Sequence, residues 1–332
     1  MKAKIVSVTM GGDLARFGFA ILLASAFGAI QVFVIPSRLD IVTYGEYRLF
    51  LVYVGYVGLL HFGLADGAFL RWAGQPAGAI RQETSSVATR LAAISLGILA
   101  VAILAAAIVA TPIATVYLVG LALAALAMNT ATLASYALQA AGDFRGAGRV
   151  AVLSPGLFVI AIVALPLHSL RAVLSAYLAS FAIAAVAGAM RLTRDADAAP
   201  PIGAPLDYRE MIRRGLPVLG ANIAASLSQF GDRILVSIAV PITSFALYGF
   251  ASSVMVTANA ATQTLSRVAL SHAARQPVDG EARAVFLGGF YDLIAAGFGL
   301  AMAGVPFFEF LVAKRLPAYV SAISIVRALM LG

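Results

Sequence analysis

The 332-residue chain is 61% hydrophobic and only 11% charged, with a mean hydropathy of +0.95 and a formal net charge of +8. Water-soluble domains carry about a quarter charged residues, so lipid must be the solvent for most of this chain. It has no cysteine, which excludes disulfides, thiol catalysis and iron–sulfur chemistry. Its apolar runs are continuous and lack two-residue alternation, which argues against a β-barrel.

About 20 apolar residues cross a hydrocarbon core roughly 30 Å thick, and by that measure the chain holds nine spans and part of a tenth. The first covers 14–35. Its basic start and an Ala-Ser-Ala resemble a signal peptide, but the run from Leu14 to Ile35 is too long for one, so it reads as retained. The second, 43–70, opens on "TYGE", an S/T-x-x-E capping box with Thr43 as N-cap and Glu46 as its partner. The others are placed at 86–110, 113–140, 150–167, 170–190, 215–240, 243–270, 284–305 and from 317 onward. The chain stops inside the last run, at "SAISIVRALMLG", and so reads as truncated.

Most of the 23 Lys and Arg fall on the side of the N-terminus and the longer loops, against five on the other side: Arg38, Arg48, Arg171, Lys314 and Arg315. This bias predicts a cytoplasmic N-terminus, and it accounts for the positive charge through anionic lipid headgroups, without nucleic acid. Residues 191–214 are the longest polar stretch and divide an N-terminal six-helix lobe (1–190) from a C-terminal lobe (215–332) that is incomplete. Aligning Tyr44-Gly45 with Tyr248-Gly249 also places Arg71 on Arg275, and the order of span, short turn and long span repeats. The expected fold is therefore all-α: a polytopic transmembrane transporter of two pseudo-symmetric lobes with the substrate between them.

Enzyme signatures are missing. The three histidines, His61, His168 and His272, have no metal-ligand spacing, and there is no G-x-S-x-G or Walker-type loop. No catalytic residue, metal or cofactor is expected. Ionisable residues inside a span are costly and mark function. "NIAASLSQFGDRILVSIAV" carries Asp232 and Arg233 side by side, pointing about 100° apart on a helix, so each needs its own partner. Either they clamp neighbouring helices or they face a hydrated cavity. His61 in the second span reads as a packing or a cavity residue. Arg16, Arg48 and Arg267 suit phosphate oxygens through their forked donors, or snorkel to the interface. Asp40 and Asp66 are candidate coupling or structural groups.

The stretches "LDIVTYGEYRLFLVYVGYVGLLHFGLADGAFLRWAG" and "RRGLPVLGANIAASLSQFGDRILVSIAVPITSFALYGFASSVMV" resemble bacterial polysaccharide-biosynthesis flippases of the Wzx (O-antigen) type, in the multidrug/oligosaccharidyl-lipid/polysaccharide (MOP) exporter superfamily. "LPAYVSAISIVRALMLG" is similar to the start of that family's tenth span. The resemblance implies a dozen or more helices in two lobes, alternating access, and export of a polyprenyl-diphosphate-linked oligosaccharide across the bacterial inner membrane. It implies a cationic cavity for the diphosphate, for which Arg16, Arg48 and Arg233 are placed by position. Membrane lipids, a polysaccharide polymerase and glycosyltransferases are the partners it implies. A cation-coupled multidrug or small-molecule exporter of the same architecture stays open, as does a membrane polymerase or ligase.

Overall fold

In the computed structural model, the described residues are 2–75, 77–109, 112–194, 202, 205–273, 306 and 308–331; among these, the side chains of 2–15, 112–114, 193–194, 229, 258–273 and 331 are not described. Among the described residues the regular elements are all helices, with no strand. The elements are α1 (Lys2–Val34), α2 (Ile41–Val57), α3 (Leu64–Trp72), α4 (Ala77–Val109), α5 (Pro112–Ala140), α6 (Phe144–Ala164), α7 (Leu170–Arg194), α8 (Tyr208–Ala239) and α9 (Ile242–Ala273). Residues 308–315 form α10, a short 3-10 turn covers Pro317–Tyr319, and α11 is Ala322–Leu331. The span expected at 284–305 lies outside the described residues.

Five segments among the described residues are long and apolar enough to cross a membrane: Arg16–Val34, Ala77–Val109, Thr115–Ala140, Phe144–Ala164 and Leu170–Leu192. The helix α8 is 32 residues long but is not among them, because Asn222, Gln229, Asp232 and Arg233 lower its hydropathy. Such a helix is stable in lipid only where protein or a water-lined cavity receives its polar face.

The second span differs most from expectation. It is two helices, α2 and α3, separated by a turn at 58–63 in which Phe62 (φ 51°) and Gly63 (φ 78°) are both left-handed. Glycine takes that conformation at no steric cost, which no hydropathy pattern reports. Thr43 is also not the N-cap. Asp40 is, its carboxylate accepting from the Val42 and Thr43 N–H groups at 3.0 and 3.1 Å. A shorter side chain one turn later cannot reach those donors once the helix has begun at Ile41. The polar stretch 191–214 is helical at both ends: α7 runs to Arg194, and α8 begins at Tyr208 behind the N-cap Asp207 rather than at 215.

The chain forms two lobes, α1–α7 and α8 onward. At one end of the bundle lie the basic pairs, Arg71 with Glu83 and Arg191 with Asp143, and Arg90 stacked on Tyr208. Here the first turns of α8 enter the core of the first lobe, with Met211 buried among Leu64, Ala68, Trp72 and Leu133. At the opposite end a second core spans both lobes. Phe33, Tyr44, Phe250, Phe308 and Tyr319 meet edge-on or tilted, except that Phe250 and Phe308 stack, and the Tyr44 and Tyr319 rings are 5.4 Å apart. Glycines permit the lobes to touch. A Cβ on Gly45 would lie 2.6 Å from the Ile242 carbonyl oxygen, and one on Gly249 would lie 3.2 Å from the Arg48 side chain. The two Tyr-Gly pairs that align in sequence thus both stand where α2 crosses α9.

Candidate functional site

The seam between the lobes brings charges of two helices, α2 and α8, against a third, α9. Arg48 is seven residues into α2, Arg233 six residues before the end of α8, and Ser252 ten residues into α9. At 1.5 Å per residue these positions share a level about 9–15 Å below the end of the bundle opposite the basic pairs. Arg233 is 9% exposed; its guanidinium lies 4.6 Å over the Phe230 ring and donates to the Ser252 carbonyl at 3.5 Å. Its Nε has no partner, nor does the buried Nε of Arg48. The Tyr56 hydroxyl is likewise buried without a partner.

Asp232 does not neutralise its neighbour by direct pairing. Its carboxylate accepts from the Tyr248 hydroxyl of α9, as the 100° offset between successive helical residues requires. Two cationic groups with unused donors are thus held at one level of the inter-lobe seam, beside a single carboxylate already engaged. Such a pair of donor forks suits the oxygens of a phosphate or diphosphate.

Arg16 lies elsewhere. With Arg145, Arg149 and Arg191 it lines a groove of about 720 Å³ between α1, α6 and α7 at the basic end, with apolar walls of Phe19, Leu23, Val152 and Met190. The expectation of one cationic cavity shared by Arg16, Arg48 and Arg233 is therefore corrected: Arg16 stands at the basic end of the bundle, whereas Arg48, early in α2, and Arg233, late in α8, lie near the opposite end. Arg267 lies outside the residues whose side chains are described. Asp40 is engaged in capping α2, and the Thr43 side chain and backbone N–H groups hold its carboxyl below the usual range. His61 and Asp66 come together at the break between α2 and α3, where Nε2 and Oδ2 are 3.8 Å apart.

Sequence reasoning missed one cavity. An open cleft of about 390 Å³ lies between α1, α5, α6 and α7, lined by Gln31, Thr132, Ser154, Pro155, Tyr177 and Ser180 among others. Pro155 has no N–H, so the Ala151 carbonyl one turn back loses its helical donor. The Pro155 carbonyl itself accepts from the Gln31 side chain at 3.3 Å, and the Ser154 and Ser180 hydroxyls face each other at 3.5 Å. The signal was a proline within an apolar run, adjacent to a serine. Among the described residues, no group of three or more His, Asp or Glu is placed to hold a metal ion.

An all-helical bundle of two lobes, with polar groups held at the seam and apolar helices outside, defines the class: a multi-pass membrane protein with a transporter-type fold. No protein-family model matches the sequence, and no curated protein matches it. The fold is similar to that of a multidrug resistance MATE family transporter of the MOP superfamily, solved facing outward (TM-score 0.53, 16% identity, 94% of this chain and 76% of that one). It is similar to the inward-facing form as well (TM-score 0.57, 15% identity, 93% and 76%). A structure of MATE in the straight conformation is also similar (TM-score 0.50, 14% identity, 94% and 77%).

Proposed function

We propose that this chain is a transporter, not an enzyme, that flips a polyprenyl-diphosphate-linked oligosaccharide across the bacterial inner membrane by alternating access, with its N-terminus in the cytoplasm. The observation that carries the reading is the pair Arg48 and Arg233, each with an unpartnered Nε at one level of the seam. A guanidinium without a carboxylate partner is expensive in a membrane, so the buried Arg233 and the half-buried Arg48 together favour an anionic guest. The sugar-diphosphate head would occupy the seam while the polyprenyl tail stays in lipid. A pathway for surface polysaccharide fits this reading, with glycosyltransferases supplying the substrate and a polymerase consuming it on the far side.

The test is a flipping assay in proteoliposomes with a fluorescent polyprenyl-diphosphate glycan. A charge-assisted hydrogen bond contributes about 1.5–3 kcal/mol, so Arg48→Gln and Arg233→Gln should each lower the rate roughly 10- to 100-fold. Wild-type rates in both variants would sink the assignment.

A second reading, export of a small molecule or drug driven by a cation, is favoured by a different observation. The cavity between α1, α5, α6 and α7 is uncharged and carries the aromatic rings of Phe158, Tyr177 and Phe181. Under that reading Phe181→Ala would reduce efflux of an aromatic dye, while the arginine variants would leave it unchanged.

A further inference from the structure

His61 and Asp66 are the two buried ionisable groups at the break between α2 and α3, exposed by 4% and 2%. The Gly63 N–H donates to His61 Nδ1 at 3.1 Å. That nitrogen therefore presents a lone pair, and the hydrogen bond assigns the ring as neutral with its proton on Nε2. Nε2 in turn lies 3.8 Å from Asp66 Oδ2, which is buried and has no hydrogen-bond partner. The other carboxylate oxygen accepts from the Tyr136 hydroxyl of α5 at 3.4 Å. An unpartnered buried carboxylate oxygen costs free energy, and here the nearest group able to offset that cost is an imidazole lacking one proton.

The same turn touches the second lobe. Gly63 and Gly67 abut the backbone of α8: a Cβ on Gly215 would lie 2.7 Å from the Gly67 nitrogen, and one on Gly63 would lie 2.9 Å from the Gly215 carbonyl carbon. The groups that act electrostatically on the pair are each other and Tyr136. Of the acidic groups on the packed elements, two are held by arginines. Glu83 of α4 is held by Arg71 and Trp72, and Glu210 of α8 by Arg213 and Arg214.

We infer that His61 and Asp66 form a binding site for a coupling proton, whose occupancy breaks the Gly63 turn and releases α3 from α8. A proton added at Nδ1 converts it from acceptor to donor, so it can no longer receive the Gly63 N–H, and two N–H groups oppose each other across the turn. The imidazolium gains the Asp66 carboxylate as its counter-ion. The cost falls on the left-handed 62–63 segment, and that segment carries the inter-lobe contact. Proton binding and lobe separation are linked reciprocally: whichever state binds the proton better is populated by it. The inference rests on the alternating-access reading above, for which it supplies the driving ion.

The chain has no cysteine, so Leu70→Cys with Arg209→Cys places two spin labels on exposed positions of α3 and α8. The full-length protein in nanodiscs is measured between about pH 8 and pH 5, the range an imidazole titrates. The short inter-label distance should dominate at the upper end and fall at least two-fold in population at the lower. His61→Asn keeps an acceptor oxygen for the Gly63 N–H but takes up no proton, and should hold the short distance at both. Asp66→Asn removes the counter-ion and should move the response to lower pH. A wild-type distribution that ignores pH, or a His61→Asn variant that responds as wild type does, overturns the inference. Should His61→Asn fail to fold, an unaltered response in Asp66→Asn overturns it equally. No substrate is needed for this readout, so its outcome is separable from that of the flipping assay.

Discussion

Gly67 of α3 meets the backbone of Met211 at the start of α8 so closely that a Cβ at position 67 would lie 2.6 Å from the Met211 carbonyl carbon. Only backbone lies there to receive it, so Gly67→Ala must push the helices apart. Forcing atoms into a filled contact costs about 1–3 kcal/mol. We expect a clear loss of thermal stability in detergent and loss of transport. Gly55→Ala on α2 is the control, since a Cβ there meets nothing within 4 Å. Equal melting temperatures for the two variants would show that the contact does not hold the lobes.

Gly249 sets the position of Arg48. A Cβ on it would stand 3.2 Å from the Arg48 Cγ and 3.3 Å from its Nε, close enough that the flexible side chain must yield. Gly249→Ala should weaken substrate binding a few-fold and Gly249→Val more strongly, while both proteins fold. An affinity unchanged across Gly, Ala and Val would dissociate Arg48 from the site.

Asp232 and Arg233 answer to different neighbours, Tyr248 and Ser252. Tyr248→Phe should therefore destabilise the protein by about 0.5–1.5 kcal/mol through loss of that hydrogen bond, since the Asp232 carboxylate is exposed. Asp232→Asn, which still accepts from Tyr248, should cost less. The reverse order in a thermal-shift assay would mean that Asp232 acts mainly as the counter-charge of Arg233.

Two carboxylates at helix starts, the first-turn Glu210 of α8 and the N-cap Asp40 of α2, make a pH prediction. The Arg213 and Arg214 guanidinium groups, in that order, pull the Glu210 carboxyl down to about 2, and Asp40 is also held below its ordinary value by Thr43. For a depressed carboxyl the stabilisation is fully present above its unfolded value and is lost as pH falls through the folded one. Amide exchange at 41–44 should therefore be constant from about pH 8 to pH 5 once intrinsic rates are divided out, and rise only below about pH 4, where the Glu210 ion pairs should be lost as well. Asp40→Ala should open the start of α2 at neutral pH, at a cost of about 1 kcal/mol. Thr43→Ala should cost less, since the cap is Asp40.

Much of the fold was legible because hydropathy is a one-dimensional property. The runs at 14–35, 113–140 and 170–190 each became one helix, since lipid leaves an apolar chain no other way to satisfy its backbone. The break at 58–63 was hidden because "VGLLHFGLADG" is as apolar as the helices around it, and the decisive quantity is the sign of φ at Phe62 and Gly63. Thr43 looked like a cap because the S/T-x-x-E spacing is local. The cap moved to Asp40 because the preceding turn, closed by the Leu39 N–H to Ile35 carbonyl bond, starts the helix earlier.

Composition and charge order alone determined that this is an all-helical membrane chain and that Asp232 and Arg233 would need separate partners, because helix periodicity and the cost of charge in hydrocarbon act within a single segment. Which charges meet was decided only by tertiary structure. Arg16 joins Arg149 rather than Arg48, and His61 finds Asp66 through a turn that the sequence reads as helix. Those pairings depend on where glycine backbones such as Gly45, Gly67 and Gly215 let helices from the two lobes close on each other, and distances of that kind are set between segments.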